Sequence, residues 1–170
     1  MASLADVFRE INALVTDGVI DEYAIGGATA VLFYAEPTRT YDVDVFVMLP
    51  VSSHQSLAPV SGLYETARRR GFPIDAEHIL IHGVPVQFLP AHNALAAAAI
   101  RTARTFDYEG VAVRVIGPEH LVALALQAGG GRRRERAWLL LESGAVDRAA
   151  LIALLDAHGI SHNVRDGDAT

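Results

Sequence analysis

The chain of 170 residues has no cysteine. Disulfides, thiolate metal sites and a cysteine nucleophile are therefore excluded, and a reducing cytoplasm is the expected location. Long apolar runs are missing too. The most apolar segments are broken by polar residues or are too short to cross a bilayer, so no membrane partner is expected. The opening MASLADVFREI lacks the basic-then-apolar pattern of a secretory leader. There is no excess of positive charge. The formal net charge is −6, which argues against broad electrostatic clamping of nucleic acid, although a local basic patch could still hold a phosphate backbone. No G-x-S-x-G elbow supports a serine hydrolase. The seven histidines are scattered. His78 and His82 stand four apart, but in a strand and turn that spacing does not bring them together, so no zinc site is expected.

What is present is enough apolar material for a real core: 51% hydrophobic residues against 20% charged. Leu4, Val7, Phe8, Ile11, Leu14 and Val15 recur at helical spacing, predicting a helix over residues 4–16. EYAIGG reads as a short strand running into paired glycines, and ATAVLFYA as a short helix. Residues 41–49 read as a β-branched strand, and residues 52–70 as a helix capped by Ser52 or Ser53 and weakened by Pro59. Two hairpins follow, turning at His82-Gly83 and near Glu109-Gly110, with an alanine-rich helix between them. Three helices come after Pro118. The order predicts an α+β chain: a mixed sheet flanked by helices over residues 1–117, then a small C-terminal helical lobe over 118–160 in the same structural unit, then a flexible tail over 161–170.

RTYDVDVFV sets Asp42 and Asp44 two residues apart in a valine-rich strand. Side chains two apart share a face, with Cα atoms roughly 7 Å apart. At that distance two negative charges repel by roughly 2 kcal/mol at an effective dielectric near 20. A divalent cation turns this repulsion into attraction, and Mg²⁺ accepts one or two carboxylates together with water and phosphate oxygens. A solvated strand edge, where charge deters aggregation, accounts for the same pattern. Upstream, Gly26-Gly27 sit between a strand and a helix, where glycine allows close approach to a phosphate; a plain tight turn fits equally. Arg39 and Thr40 are in the loop that delivers the strand, either touching a phosphate or solvated. Arg132, Arg133, Arg134 and Arg136 follow Gly129 to Gly131 and either hold a triphosphate or RNA backbone or form a solvated helix start. Trp138, on an apolar helix, is expected in the core.

Taken together, IGGATAVLFYAEPTRTYDVDVFV resembles the signature of the nucleotidyltransferase superfamily with the DNA polymerase β-like fold: a glycine pair, a helix, then an Arg-Thr-x-Asp-x-Asp strand. The look is nearest to the minimal, AbiEii-like branch of toxin–antitoxin proteins, whose C-terminal helices PEHLVALALQAGGGRRRERAWLLLESGAVD also resembles. The resemblance implies a nucleotidyltransferase fold and two-metal transfer of a nucleotide from an NTP to a tRNA or protein acceptor, with a cognate antitoxin as a further partner. It implies Asp42 and Asp44 as ligands of Mg²⁺ or Mn²⁺. Gly26, Gly27, Thr29, Arg39, Thr40 and Arg134 would contact the nucleotide, and Gln87 would stand where the family places a third catalytic carboxylate.

The chain departs from the pattern in four places. Ala28 replaces the small hydroxyl residue that follows the glycines, with Thr29 next to it. Gln87 is neutral and cannot bridge metals, with Glu77 as a possible stand-in. Ala125 and Trp138 replace a lysine and an acid of the helical lobe. A catalytically impaired relative, acting as a nucleotide- or protein-binding module or as a toxin–antitoxin partner subunit, is the alternative.

Overall fold

Seven strands form one mixed sheet in the computed structural model, which describes residues 3–36, 40–52 and 59–164. Helix α1 spans Leu4–Thr16. Its start is set by a capping box: the Ser3 hydroxyl accepts from the Asp6 amide at 3.3 Å, and the Ser3 amide donates to the Asp6 carboxylate at 2.8 Å. Strand β1 (Glu22–Ile25) leads into the five-residue α2 (Gly27–Val31), and β2 is Val43–Met48. Helix α3 (Ser61–Arg69), β3 (Ile74–Asp75), β4 (His78–Ile81), β5 (Val84–Pro90) and α4 (Ala94–Arg101) follow. The sheet is completed by β6 (Arg104–Tyr108) and β7 (Val111–Val115). Helices α5 (Pro118–Ala128), α6 (Gly131–Glu142) and α7 (Arg148–Ala157) end the fold, and α5 packs against both of the others. Among the described residues, no helix is long and apolar enough to cross a membrane.

The sheet order is β3-β4-β5-β2-β1-β7-β6. β2 runs antiparallel to β1 and parallel to β5, so the Asp-bearing strand lies near the middle of the sheet and is paired on both sides. Both predicted hairpin turns form. His82 and Gly83 (φ 51° and 83°), and Glu109 and Gly110 (φ 50° and 78°), are left-handed in succession, the conformation that reverses a two-residue hairpin with the sheet's own twist.

Period-two alternation divides β2 cleanly. Val43, Val45 and Val47 are buried on one face, while Asp44, Phe46 and Met48 are half-buried on the other. On the valine side, Leu14 of α1 and Leu63 and Ala67 of α3 lie with Ile79, Ile81 and Phe88. The opposite side is left for α2, α5 and α6, which close over the aspartate end of the sheet.

Several expectations need correction. The strand begins at Val43, so Asp42 lies in the bend before it. The helix expected over 52–70 is only Ser61–Arg69, because Pro59 stands in a turn ahead of it. Ser53, one proposed cap, lies outside the described residues. Strand β3 was not anticipated, since two residues carry no periodicity. Trp138 is 60% exposed, because the faces of α6 toward the cavity and core are taken by Arg133, Arg136, Ala137 and Leu140 at i, i+3, i+4 and i+7.

The cap of α4 provides a direct test of the packing. Asn93 Oδ1 accepts from the Ala96 amide at 2.8 Å, and its Nδ2 donates to Gln127 Oε1 at 2.9 Å, tying α4 to α5. Asn93→Ala should cost about 1 kcal/mol in urea denaturation, with an unchanged m-value.

Candidate active site

Five elements converge on Asp44. β1 ends at Ile25, and the Gly26 amide donates to the Asp44 carbonyl at 2.9 Å, extending the pairing by one residue. A Cβ on Gly26 would stand 2.5 Å from the Phe46 ring. Gly27 is left-handed at φ 55°, and a Cβ there would fall 1.9 Å from Asp44 Oδ2. Gly27 is thus required twice, by its backbone angle and because the Asp44 carboxylate fills the space a side chain would need.

Asp42 is held through its backbone. Its carbonyl accepts from Thr29 Oγ1 at 3.0 Å and from Thr40 Oγ1 at 2.8 Å, which fixes the bend; the carboxylate, 46% exposed, accepts at a longer 3.4 Å from the same Thr40 hydroxyl. Sheet register then sets a row across the strands. Asp44 pairs with Gln87, and Gln87 pairs with His78 on the far side. Laterally paired residues share a face, so the three side chains form one line. His78 Nε2 stands 3.9 Å from Asp42 Oδ2, bringing the row back to the first aspartate.

Burial raises the pKa of the Asp44 carboxyl above its ordinary value, and the Asp42 charge raises it further. Arg136, His78 and Arg133 pull it back in part. This is the signature of a like-charge pair taken partly out of water with incomplete compensation.

A cavity of about 510 Å³ opens from this point. Gly27, Asp44 and Gln87 line it, as do Arg136 and Arg133, which act on the Asp44 carboxylate. Phe46, Leu89, Leu121, Leu124 and Leu140 form apolar walls along the strands and under the helical lobe. His92, Asn93 and Gln127 also line it, joined through the Asn93 amide, which lies 3.2 Å from His92 Nε2. The cations are all arginine, because the chain contains no lysine.

Of the residues singled out from sequence, Gly27, Asp44 and Gln87 line the cavity, and Asp42 stands beside it against His78. Gly26 is buried beneath, and Thr29 is buried with its hydroxyl committed to Asp42. Arg39 lies outside the described residues. Arg134 is exposed and does not line the cavity; its neighbours Arg133 and Arg136 do, because α6 turns about 100° per residue. Glu77 is in the exposed β3–β4 turn, not on a strand, so it does not stand in for the third acid. Ala125 lines the wall. His78 was missed. The hairpin arithmetic contained it: a two-residue turn at 82–83 pairs 81 with 84 and therefore 78 with 87.

No known family pattern matches the sequence, and no curated protein matches it. Solved structures do match. The solution structure of the antibiotic-resistance factor ANT(2'')-Ia superposes with a TM-score of 0.54 at 16% identity, over 92% of this chain and 91% of that one. The crystal structure of ANT(2'')-Ia with adenylyl-2''-tobramycin gives 0.55 at 15% identity, over 92% and 97%. An antigenic nucleotidyltransferase-like protein from Paracoccidioides brasiliensis gives 0.56 at 14%, over 91% and 84%. At such identities the likeness is one of fold, and the fold this chain carries is that of the nucleotidyltransferases.

Proposed function

We propose that the chain binds a nucleoside triphosphate with a divalent cation and transfers its nucleotidyl group to a hydroxyl acceptor. The observation that carries this reading is Asp44 in the lining of a cavity, with Asp42 beside it, together with Arg136 and Arg133, which line the same cavity and act on the Asp44 carboxylate. The residues fit Mg²⁺ or Mn²⁺. Both donors are hard carboxylate oxygens, and the raised Asp44 pKa marks negative charge that a cation would relieve. Asp42 and Asp44 would hold the ion, which when bound polarises the phosphate oxygens.

The remaining roles belong to the chain. Arg133 and Arg136 pair with phosphate oxygens as charge-assisted donors. The apolar walls exclude water and hold the nucleoside or acceptor body, and the Gln87 amide orients a group beside Asp44. The acceptor oxygen attacks the α-phosphorus, the bond to the β-phosphate oxygen breaks, pyrophosphate leaves, and the hydroxyl proton passes to solvent. The acceptor hydroxyl belongs to RNA, such as tRNA, or to a protein, as in the AbiEii-like reading. A polycationic aminoglycoside does not suit this cavity. Among the described residues Asp44 is the one carboxylate in its lining, so buried ammonium groups would lack partners. Tobramycin is accordingly expected to remain unmodified under conditions that label an acceptor.

Neutral Gln87 favours a second reading, a relative that binds nucleotide without turnover. Incubation with labelled NTPs, Mg²⁺ or Mn²⁺, and RNA and protein acceptors separates the two. Label transfer supports the first reading, binding without transfer supports the second, and no nucleotide binding by calorimetry removes both.

A further inference from the structure

We propose that the site takes one divalent cation, not two, and that Arg136 and Arg133 bring to the phosphates the positive charge a second ion would supply. This rests on the nucleotidyl-transfer reading above and departs from the two-ion mechanism of the superfamily. Two ions about 3.5–4 Å apart form a clamp on the attacking and leaving oxygens, and holding both takes a bridging or additional anion. Here the strand partner of Asp44 is Gln87, whose amide oxygen is an uncharged donor. One strand further out is His78, also uncharged when it offers a nitrogen, and it leans on Asp42. Among the described residues, no group of three histidine, aspartate or glutamate side chains is gathered to hold a metal. Glu77 is turned out in an exposed turn.

Charge balance points the same way. Two aspartates and one divalent ion cancel, which leaves two guanidinium charges for the phosphates. A second ion would add two positive charges with no protein anion to hold them. Arg133 and Arg136 are one helical turn apart on the cavity face of α6, and both act on Asp44. Gly129 and Gly130, at φ 69° and 91°, make the sharp turn out of α5 that sets this face over the carboxylates. Arginine cannot shed its charge on burial and presents a fork that matches phosphate oxygens, so it can hold this role where lysine could lose its proton.

The test is Mn²⁺ binding to the full chain with α,β-methylene-ATP, read by electron paramagnetic resonance. The wild type should hold one Mn²⁺ per chain, with the six-line signal of an isolated ion. A spin-coupled pair in the wild type overturns the proposal and leaves the functional reading intact. Bound nucleotide with no bound Mn²⁺ also overturns it. A failure to bind nucleotide at all removes the functional reading and this proposal together. Gln87→Asp and Gln87→Glu each restore the missing anion, and at least one should raise the count to two and produce the coupled signal. A count of one in both variants, each folded by circular dichroism, overturns the role given to Gln87. Arg136→Ala should weaken nucleotide binding by about tenfold or more while the Mn²⁺ count stays at one. Unchanged affinity in both Arg136→Ala and Arg133→Ala overturns the arginine half.

Discussion

Asp44→Asn should abolish nucleotide transfer and yet make the metal-free protein more stable. Losing a neighbour that merely orients a metal ligand typically costs 10–100-fold, so losing the ligand itself should cost at least about 100-fold in metal-dependent nucleotide binding and turnover. Stability moves the other way. In the folded chain the Asp44 carboxyl sits above its ordinary pKa, first through burial and then through the Asp42 charge. The folded state therefore holds that proton more readily than the unfolded chain. A charged Asp44 is a penalty present in full above its folded pKa, and it disappears as pH falls below the ordinary value of 3.8. Asparagine keeps the shape and removes the charge. In EDTA at neutral pH the variant should melt higher than the wild type, each kcal/mol counting for about 2–4 °C in a chain of this length. The gap should narrow as the buffer is made more acidic. A variant that melts lower at neutral pH, or one that still binds Mn²⁺ and nucleotide at wild-type affinity, would contradict the site as drawn.

Gly27→Ala should have the second-largest effect, and for a steric reason. The new methyl would overlap Asp44 Oδ2, at 1.9 Å, and would have to occupy a left-handed backbone. The backbone angle costs about 1–2 kcal/mol by itself. Relieving the overlap moves either α2 or the carboxylate, so metal and nucleotide binding should fall by at least about 100-fold, since a misplacement near 1 Å can cost that much. Gly71→Ala is the control. Gly71 is equally left-handed, at φ 77°, but nothing lies within 4 Å of the methyl that alanine would add there. It should lose comparable backbone stability in denaturant and no nucleotide affinity. Equal affinity losses in both variants would mean that the defect is general instability and not displacement of Asp44.

Much of this was legible beforehand because it depends on neighbours in sequence. The period-two valines of β2, the helical spacing of α1 and the glycine-second turns at 82–83 and 109–110 are local patterns, and each formed. The segment from the glycine pair to Asp-x-Asp was also local enough to resemble the fold that the solved structures share. The misses have local causes as well. Residues 41–42 look like strand because Tyr and Asp precede an unbroken valine alternation, but two threonine hydroxyls bonded to the Asp42 carbonyl hold it in a bend. Trp138 reads as core because it is large and apolar. Yet it is 60% exposed, one residue round the helix from buried Ala137.

By itself, then, the sequence determined every element type but the two-residue β3, the two hairpin turns and the carboxylate pair, because those follow from backbone preference and side-chain period over a few residues. Which groups meet Asp44 was decided by tertiary structure. Gln87 and His78 reach it through strand register, and Gly27 through a close approach across two elements. Arg133 and Arg136, not Arg134, reach it through the rotation of α6. Contacts between residues far apart in the chain depend on how the sheet pairs and how the lobe packs, and a short window of sequence holds neither.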